Sequence, residues 1–393
     1  MLLKVIKPTS HRQQWRFFWL QWHLYLGLIA GLIFMLAGVT GSLLVFYVEL
    51  DELLHPELQI STTHASRPLP YEQIFQALQQ RHPDRHKAWR LEIPRHAEAP
   101  LSARYYKPDE TEHLHFAPLM ATVNPYTAEV SSSRIWGEYL FTWIYDLHYT
   151  LLLDLTGKTI MGCLGGVLLI SLGTGIYLWW PAPGKFTTAL TIKARASRVR
   201  LNYDIHKVSG VYSLVLLLLL VISGILLELP DFFNPLINRV SPLYVAPTTT
   251  SIPHPGAVRI TVDAAIHIAQ QQFPAGKLRW VETPKDANGS YRIMFYQAGE
   301  PSQRFPKSTV WVEQYTGQVL ATRNPLTTNS AGDTFITWLH PLHSGEIAGL
   351  TGRWLVLCSG LIPAILYITG FIRWRQKSQA KHSKLINPKC DST

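Results

Sequence analysis

Four long apolar runs alternate with polar stretches along the chain. They cover residues 24–48, 159–180, 208–229 and 354–372. Each is long enough to cross a hydrocarbon layer of about 30 Å as a helix. The first run is longer than the apolar part of a signal peptide and has no cleavage site after it, so we expect a retained anchor. The pattern therefore predicts a membrane α-helical four-span bundle.

Two long polar segments separate the first run from the second and the third from the fourth. In each, an amphipathic stretch (71–80 and 262–272) precedes runs that alternate apolar and polar residues. The alternating runs cover 89–93, 102–106 and 120–130 in the first segment, and 278–281, 291–296 and 309–320 in the second. Apolar residues that recur about every 3.6 positions are typical of a helix, and those that recur at every second position are typical of a strand. We therefore predict two small α+β domains.

The predicted organisation divides the chain into eleven segments. They are a terminus at 1–22, TM1 at 23–48, an α+β domain at 49–135, a juxtamembrane helix at 136–158, TM2 at 159–180, a loop at 181–205, TM3 at 206–229, an α+β domain at 230–332, a juxtamembrane helix at 333–353, TM4 at 354–374 and a tail at 375–393.

Composition and charge support a membrane location. Apolar residues make up 47% of the chain and charged residues 16%, below the roughly 25% of soluble domains. The net charge is +10, but segments 1–22, 181–205 and 373–393 together hold 15 basic and 2 acidic residues. Positive charge beside spans marks the cytoplasmic side. We therefore expect cytoplasmic termini, two outside domains, an inner (plasma) membrane location, lipids as partners and no nucleic-acid partner.

The two halves of the chain repeat each other. Residues around TM1 recur 183 positions later, and residues around TM2 recur 195 positions later. The matches include His23 with His206, Gly41 with Gly224, His148 with His343, and Lys158 with Arg353. Because both halves start on the same side, the repeat is parallel, with a pseudo-twofold axis along the membrane normal.

Four histidines recur at equivalent positions. His23 and His206 open TM1 and TM3, whereas His148 and His343 precede TM2 and TM4, so one pair lies at each membrane face. Ionisable residues at membrane depth are usually functional. Paired imidazoles with few carboxylates nearby suit a haem iron better than zinc. The alternative is histidines that cap helix ends or bind lipid headgroups.

Two further features fit a haem, and each has a simpler alternative. Glycines in TM1 and TM2 could leave flat space between helices, or could serve close helix packing; they are Gly27, Gly31, Gly38, Gly41, Gly162, Gly165 and Gly166. Lys158 and Arg353 begin TM2 and TM4 after a Thr-Gly pair, where a cation and a helix N-terminus could hold haem propionates. They could instead be cations that reach the interface.

These motifs resemble a known family. The pattern His-x3-Gly with a later Thr-Gly-x-Leu, together with Trp-x4-His-x8-Gly-[Lys/Arg], is similar to the PepSY-associated transmembrane family. The hairpins Tyr126–Val130 and Tyr315–Val319 resemble PepSY domains, although Asn124 and Glu313 stand where that module has Asp. Within the family, the chain looks most like inner-membrane ferric-siderophore reductases of Gram-negative bacteria, of the ferrioxamine type.

The resemblance implies an enzyme with two b-type haems that reduces siderophore-bound iron in the periplasm. His23 and His206 would ligate the inner haem, and His148 and His343 the outer one. The implied partners are a ferric hydroxamate siderophore and a cytoplasmic or quinol electron donor. Two alternatives remain: a quinol-linked membrane cytochrome b with another periplasmic acceptor, and a PepSY regulator or permease subunit that is not an enzyme.

Overall fold

The structure is a computed structural model that describes residues 10–56, 60 and 67–386, without the side chains of 381–386. Lys4, Lys7 and Lys389, which contribute to the charge pattern, lie outside the described residues. The helices are α1 (His11–Leu44), α2 (Tyr47–Leu54), α3 (Tyr71–Arg81), α4 (Leu140–Thr150), α5 (Asp154–Trp179), α6 (Phe186–Ala189), α7 (Arg198–Glu228), α8 (Pro230–Val240), α9 (Val262–Gln270), α10 (Pro325–Thr328), α11 (Ala331–Ser344) and α12 (Gly349–Ile386).

Eight strands follow the alternating runs. They are β1 (Trp89–Glu92), β2 (Leu101–Tyr105), β3 (Leu119–Val123), β4 (Val130–Ile135), β5 (Lys277–Glu282), β6 (Ser290–Tyr296), β7 (Ser308–Glu313) and β8 (Val319–Arg323). The hairpins predicted at 126–130 and 315–319 are present: they join β3 to β4 and β7 to β8, which pair antiparallel. The chain divides into two compact units, residues 1–45, 147–229 and 342–393 in one and 46–146 and 230–341 in the other.

The first unit contains four helices long and apolar enough to cross a membrane, as hydropathy predicted. In this bundle α1 contacts α5 and α12, and α7 contacts the same two helices. The spanning helices extend beyond the apolar runs, because polar residues continue the helical turns. Ser10 and Ser197 cap α1 and α7 by accepting hydrogen bonds from Gln13 N–H and Arg200 N–H. TM1 was predicted to reach residue 48, but α1 ends at Leu44 and a new helix starts at Tyr47.

Several glycines serve helix packing. A Cβ on Gly165 would lie close to the side chain of Ile225, and a Cβ on Gly162 close to that of Leu229, so both positions let α5 approach α7. Gly38 does the same between α1 and α12, where the backbone oxygen of Gly360 approaches it. For these three glycines the structure favours the packing alternative. Gly166, by contrast, faces open space.

The second unit holds a single eight-stranded sheet, to which both of the predicted small α+β domains contribute four strands. The strand order is β4-β3-β2-β1-β5-β6-β7-β8, with all neighbouring strands antiparallel. The two predicted domains therefore share one sheet through β1 and β5. One face packs on α3 and α9 around fully buried side chains that include Ile74, Leu78, Trp89, Tyr291 and Phe295. A shared core of this kind stabilises both halves together.

Polar contacts also join the two halves of the sheet. Asp263, in the first turn of α9, accepts hydrogen bonds from the backbone N–H groups of Tyr71 and Glu72 at the start of α3 (3.0 and 2.9 Å). Glu72 in turn accepts one from the Val262 N–H (2.8 Å). Each helix thus supplies the carboxylate that caps the other, which satisfies free N–H groups at both helix starts.

Candidate functional site

The structure brings the four sequence-predicted histidines together as two pairs in the first unit. The ring centroids of His23 and His206 are 6.4 Å apart, and those of His148 and His343 are 6.3 Å apart. Two imidazole–metal bonds of about 2 Å, with about 1.1 Å more from each nitrogen to its ring centroid, span about 6 Å. Each pair is therefore spaced as two axial ligands of one metal would be.

In the first pair, the Nδ1 atom of each histidine already has hydrogen-bond partners in the protein. His23 Nδ1 lies 3.1 Å from the Ser171 carbonyl oxygen and 3.1 Å from Thr174 Oγ1, both on α5. His206 Nδ1 lies 3.1 Å from the Leu366 carbonyl oxygen and 2.9 Å from Thr369 Oγ1, both on α12. A carbonyl oxygen can only accept a hydrogen bond, so in each histidine the proton stays on Nδ1. The Nε2 atom then keeps its lone pair, which can bind a metal.

The second pair follows the same rule. His148 Nδ1 lies 3.0 Å from the Ala37 carbonyl oxygen and 3.1 Å from Thr40 Oγ1 on α1. His343 Nδ1 lies 2.9 Å from Ser223 Oγ on α7, whose hydroxyl already donates to the Leu219 carbonyl oxygen at 2.7 Å and so accepts from Nδ1. Metal-bound histidines commonly use one nitrogen in this way, which fixes the tautomer and the ring orientation.

A glycine lies against the edge of every one of these rings. A Cβ would be 2.9 Å from His148 Cε1 if built on Gly41 and 3.3 Å from His343 Cε1 if built on Gly224. The corresponding distances are 3.1 Å from Gly175 to His23 Cε1 and 3.5 Å from Gly370 to His206 Cε1. The absence of a side chain at these positions lets the Cε1 edge of each imidazole approach the neighbouring helix.

Beside the His23–His206 pair, open space is found one helical turn after His23. A Cβ on Gly27 would meet no atom within 4 Å, so the helix face next to the imidazole is open. The equivalent Gly210 is lined by Leu366 at 3.5 Å. A separate apolar groove of about 570 Å³ lies between α1 and α5, and its lining residues include Trp22, Ala30 and Leu164 but none of the four histidines.

The donor set fits a haem rather than a bare metal ion. Among the described residues, no group of three or more His, Cys, Asp or Glu side chains could hold a metal ion. Two neutral imidazoles alone do not complete a tetrahedral zinc site, but they complete the axial coordination of a haem iron, whose other four ligands come from the porphyrin. The fit therefore rests on three features: the paired imidazoles, the hydrogen bonds that orient each ring through Nδ1, and the glycines beside the rings.

The two cations predicted to hold propionates have protein contacts. Arg353 donates hydrogen bonds from Nε (3.2 Å) and Nη2 (2.6 Å) to the carbonyl oxygen of Val45, which caps the end of α1. Lys158 interacts electrostatically with Glu228 at the end of α7, whose Oε2 is buried without a hydrogen bond. Their propionate role stays a prediction. His340, which lies three residues before His343 on α11, packs its ring against Phe305, with 4.6 Å between centroids.

The hydroxyl groups beside the histidines were not predicted as part of the site. Thr174 and Thr369 are separated by 195 positions, and Thr40 and Ser223 by 183, the same offsets that relate the histidines. That agreement was visible in the sequence. The sequence does not show which helices lie next to each other, and that packing brings each hydroxyl to a ring nitrogen.

The second unit has partly buried charges on the sheet face opposite α3 and α9. Arg90 forms an ion pair with Glu282, donating from Nε at 2.7 Å, and its guanidinium lies 4.0 Å from the Trp280 ring centroid. Arg104 pairs with Glu92 at 2.8 Å. Burial raises the pKa of the neighbouring Tyr106 to about 12. Each arginine is paired with a carboxylate, which offsets the cost of partly burying these charges.

The hairpins that differ from the PepSY pattern keep a turn-stabilising side chain. Asn124 Oδ1 accepts a hydrogen bond from Tyr126 N–H at 2.9 Å. Glu313 Oε2 accepts hydrogen bonds from Tyr315 N–H at 2.8 Å and from both N–H and hydroxyl of Thr316. Asn and Glu therefore stabilise these two turns through the side-chain oxygen that an aspartate would also supply.

Four apolar helices with two embedded histidine pairs define an α-helical membrane protein with a candidate cofactor site. The chain matches the family described as the PepSY-associated TM region over residues 20–377, so it belongs to that family. A comparison with curated proteins found no match.

Proposed function

We propose that this chain is an inner-membrane di-haem b oxidoreductase that reduces Fe(III)-siderophore in the periplasm and releases Fe(II). The observation that carries the proposal is the pair of histidine contacts, His23 with His206 and His148 with His343, each at about the spacing of two axial ligands. A haem bound between two histidines supplies one-electron transfer, with its potential set by ligands, burial and nearby charge.

The chain's own residues prepare both pairs for binding. The carbonyl oxygens of Ser171, Leu366 and Ala37 hold the proton at Nδ1 of their histidines, and the adjacent hydroxyls fix the ring planes. Each Nε2 lone pair is then available without any deprotonation step. The ligands come from different helices, so the order of the bundle determines the pairing.

The proposed topology has cytoplasmic termini and periplasmic polar segments. The excess of basic residues in 1–22, 181–205 and 373–393 supports it. The internal repeat is supported by the partners of the histidines, because Thr174 and Thr369 follow one offset and Thr40 and Ser223 follow the other. In this topology the His23–His206 pair lies at the cytoplasmic level and the His148–His343 pair at the periplasmic level.

Siderophore-bound iron is a chemically suitable acceptor. Hydroxamates hold the hard ion Fe(III) far more tightly than Fe(II), so transfer of one electron to the metal weakens the complex without breaking a covalent bond. The reaction needs no nucleophile and no acid–base pair. This agrees with the second unit, where Arg90 pairs with Glu282 and Arg104 with Glu92.

The ligand set is tested by changing each histidine to alanine in the full-length protein. We expect His23→Ala, His206→Ala, His148→Ala and His343→Ala each to lower the haem content from two to about one per chain. His340→Ala is the matched control, since its ring packs on Phe305, and it should keep both haems. Full haem content in any of the four variants would remove that residue from the ligand set.

The proposed acceptor is tested separately. Purified protein reduced with dithionite, freed of excess reductant and mixed anaerobically with ferrioxamine, should be reoxidised as an Fe(II) chelator captures iron. Protein that holds haem but is not reoxidised would favour a quinol-linked cytochrome b with another acceptor. Protein without haem would favour a PepSY regulator or permease subunit.

A further inference from the structure

A short amphipathic helix follows the third spanning helix almost without a break. Helix α8 starts at Pro230, and α7 ends at Glu228, so a single residue separates them. Phe232, Leu236 and Val240 are spaced four residues apart and form one stripe along α8. Their side chains are 63%, 44% and 90% exposed. An apolar stripe of this kind is unusual on a surface that faces water.

The other sides of α8 have different environments. Asp231, Asn234 and Asn238 lie together on a polar side, about 180° from Leu236 around the helix axis. Ile237 packs close to Gly332 at the start of α11, and Ser241 accepts a hydrogen bond from the Gly332 N–H at 2.8 Å. The protein therefore holds α8 on the Ile237 side and leaves the stripe of Phe232, Leu236 and Val240 uncovered.

Three more short helices adjoin spanning helices and expose apolar side chains. Leu53 is exposed on α2, Leu140 and Trp143 on α4, and Phe335 and Trp338 on α11. α2 starts three residues after α1 ends, α4 ends four residues before α5 starts, and α11 ends five residues before α12 starts. We call α2, α4, α8 and α11 the juxtamembrane helices.

We propose that the juxtamembrane helices are interfacial helices, whose exposed apolar side chains insert into the lipid leaflet on the side where α7 ends. The main argument is the chain connection. Only one residue separates α8 from the spanning helix α7, and consecutive Cα atoms are 3.8 Å apart, so the start of α8 cannot lie far from the interface. Tryptophan and phenylalanine beside polar residues are typical of that depth. The proposal rests on the four spanning helices and not on any cofactor.

The test uses full-length protein in lipid nanodiscs that hold one copy each. In a background with Cys163, Cys358 and Cys390 replaced by alanine, a single cysteine at Leu236 or Val240 carries a spin label. Asp231→Cys, on the polar side of the same helix, is the matched control. Electron paramagnetic resonance then measures collision with oxygen, which concentrates in lipid, and with a nickel chelate, which stays in water.

We expect labels at Leu236→Cys and Val240→Cys to collide with oxygen at least threefold more, relative to nickel, than the label at Asp231→Cys. Equal ratios at all three positions would overturn the proposal, because the stripe would then face water. Low collision with both reagents at Leu236 and Val240 would also overturn it, because a protein partner would then cover the stripe. Val240 is almost fully exposed, so its substitution leaves the fold intact and keeps the test valid.

Discussion

Alanine substitution of the four glycines beside the histidines should weaken haem binding in a graded order. The closest approach is at Gly41, where a Cβ would be 2.9 Å from His148 Cε1, followed by Gly175 at 3.1 Å, Gly224 at 3.3 Å and Gly370 at 3.5 Å. Carbon atoms in ordinary contact are about 3.5–4.0 Å apart. Gly41→Ala must therefore displace the ring by about 0.6 Å or more, whereas Gly370→Ala needs almost no movement.

A displaced ligand ring loses its alignment with the metal and with its Nδ1 partner. Changes to groups that orient a metal ligand typically cost about 10- to 100-fold in affinity. We expect a loss of that size for Gly41→Ala and less than about threefold for Gly370→Ala, with the other two between them. Gly173→Ala is the control, because its Cβ would meet no atom within 4 Å on the same helix as Gly175.

The assay is titration of haem into purified apoprotein, followed by visible absorption at each step. The haem affinity of the His148–His343 site should fall in Gly41→Ala and Gly224→Ala, and that of the His23–His206 site in Gly175→Ala and Gly370→Ala. Alanine also favours the helix by up to about 1 kcal/mol over glycine, so weaker binding would not reflect a weaker fold. Equal haem affinity in Gly41→Ala and Gly173→Ala would refute the reasoning.

Three further predictions concern the sheet, and thermal unfolding followed by circular dichroism checks all of them. Burial raises the pKa of the Glu313 carboxyl, but the hydrogen bonds that it accepts outweigh this effect and hold the pKa below its usual value of 4.5. The stability that these bonds provide should therefore be lost as the pH falls below 4.5, and Glu313→Gln should lose less of it. An unchanged pH profile of the unfolding temperature would contradict this. Ala128 has a φ of 60° and Gly317 a φ of 74°, both in the left-handed region that favours glycine. Ala128→Gly should therefore stabilise the protein by up to about 1 kcal/mol, and Gly317→Ala should destabilise it by at least about 1 kcal/mol. The opposite signs would contradict the strain argument. Arg90→Lys keeps the charge but loses the two-point contact and ring stacking, and should cost about 1–3 kcal/mol, so an unchanged unfolding temperature would show that the β1–β5 junction does not depend on this ion pair.

The sequence was sufficient for features that depend on local pattern or on the repeat. Apolar length alone predicted four helices, and the two offsets predicted which histidines are equivalent. Since a twofold repeat places equivalent residues opposite each other, the pairing of His23 with His206 was also predictable, and the structure brings these rings together.

Features that depend on distant pairing could not be predicted. The sheet joins β1 to β5 through the register Arg90 with Glu282, a contact between residues 192 positions apart. Alternation defines which face of a strand is apolar, but not which strand lies next to it. The sequence therefore predicted two small α+β domains but not the sheet that they share. The role of Thr174 beside His23 was missed for the same reason, because it requires the contact of α1 with α5.

The most direct test of the central claim is a reduced-minus-oxidised visible spectrum of the purified, detergent-solubilised protein, with the haem-to-protein ratio measured on the same sample. Expression with haem supplied ensures that loading is not limited by supply. The account predicts two six-coordinate b-type haems per chain, one for each histidine pair. Protein that carries no haem under these conditions would contradict the account.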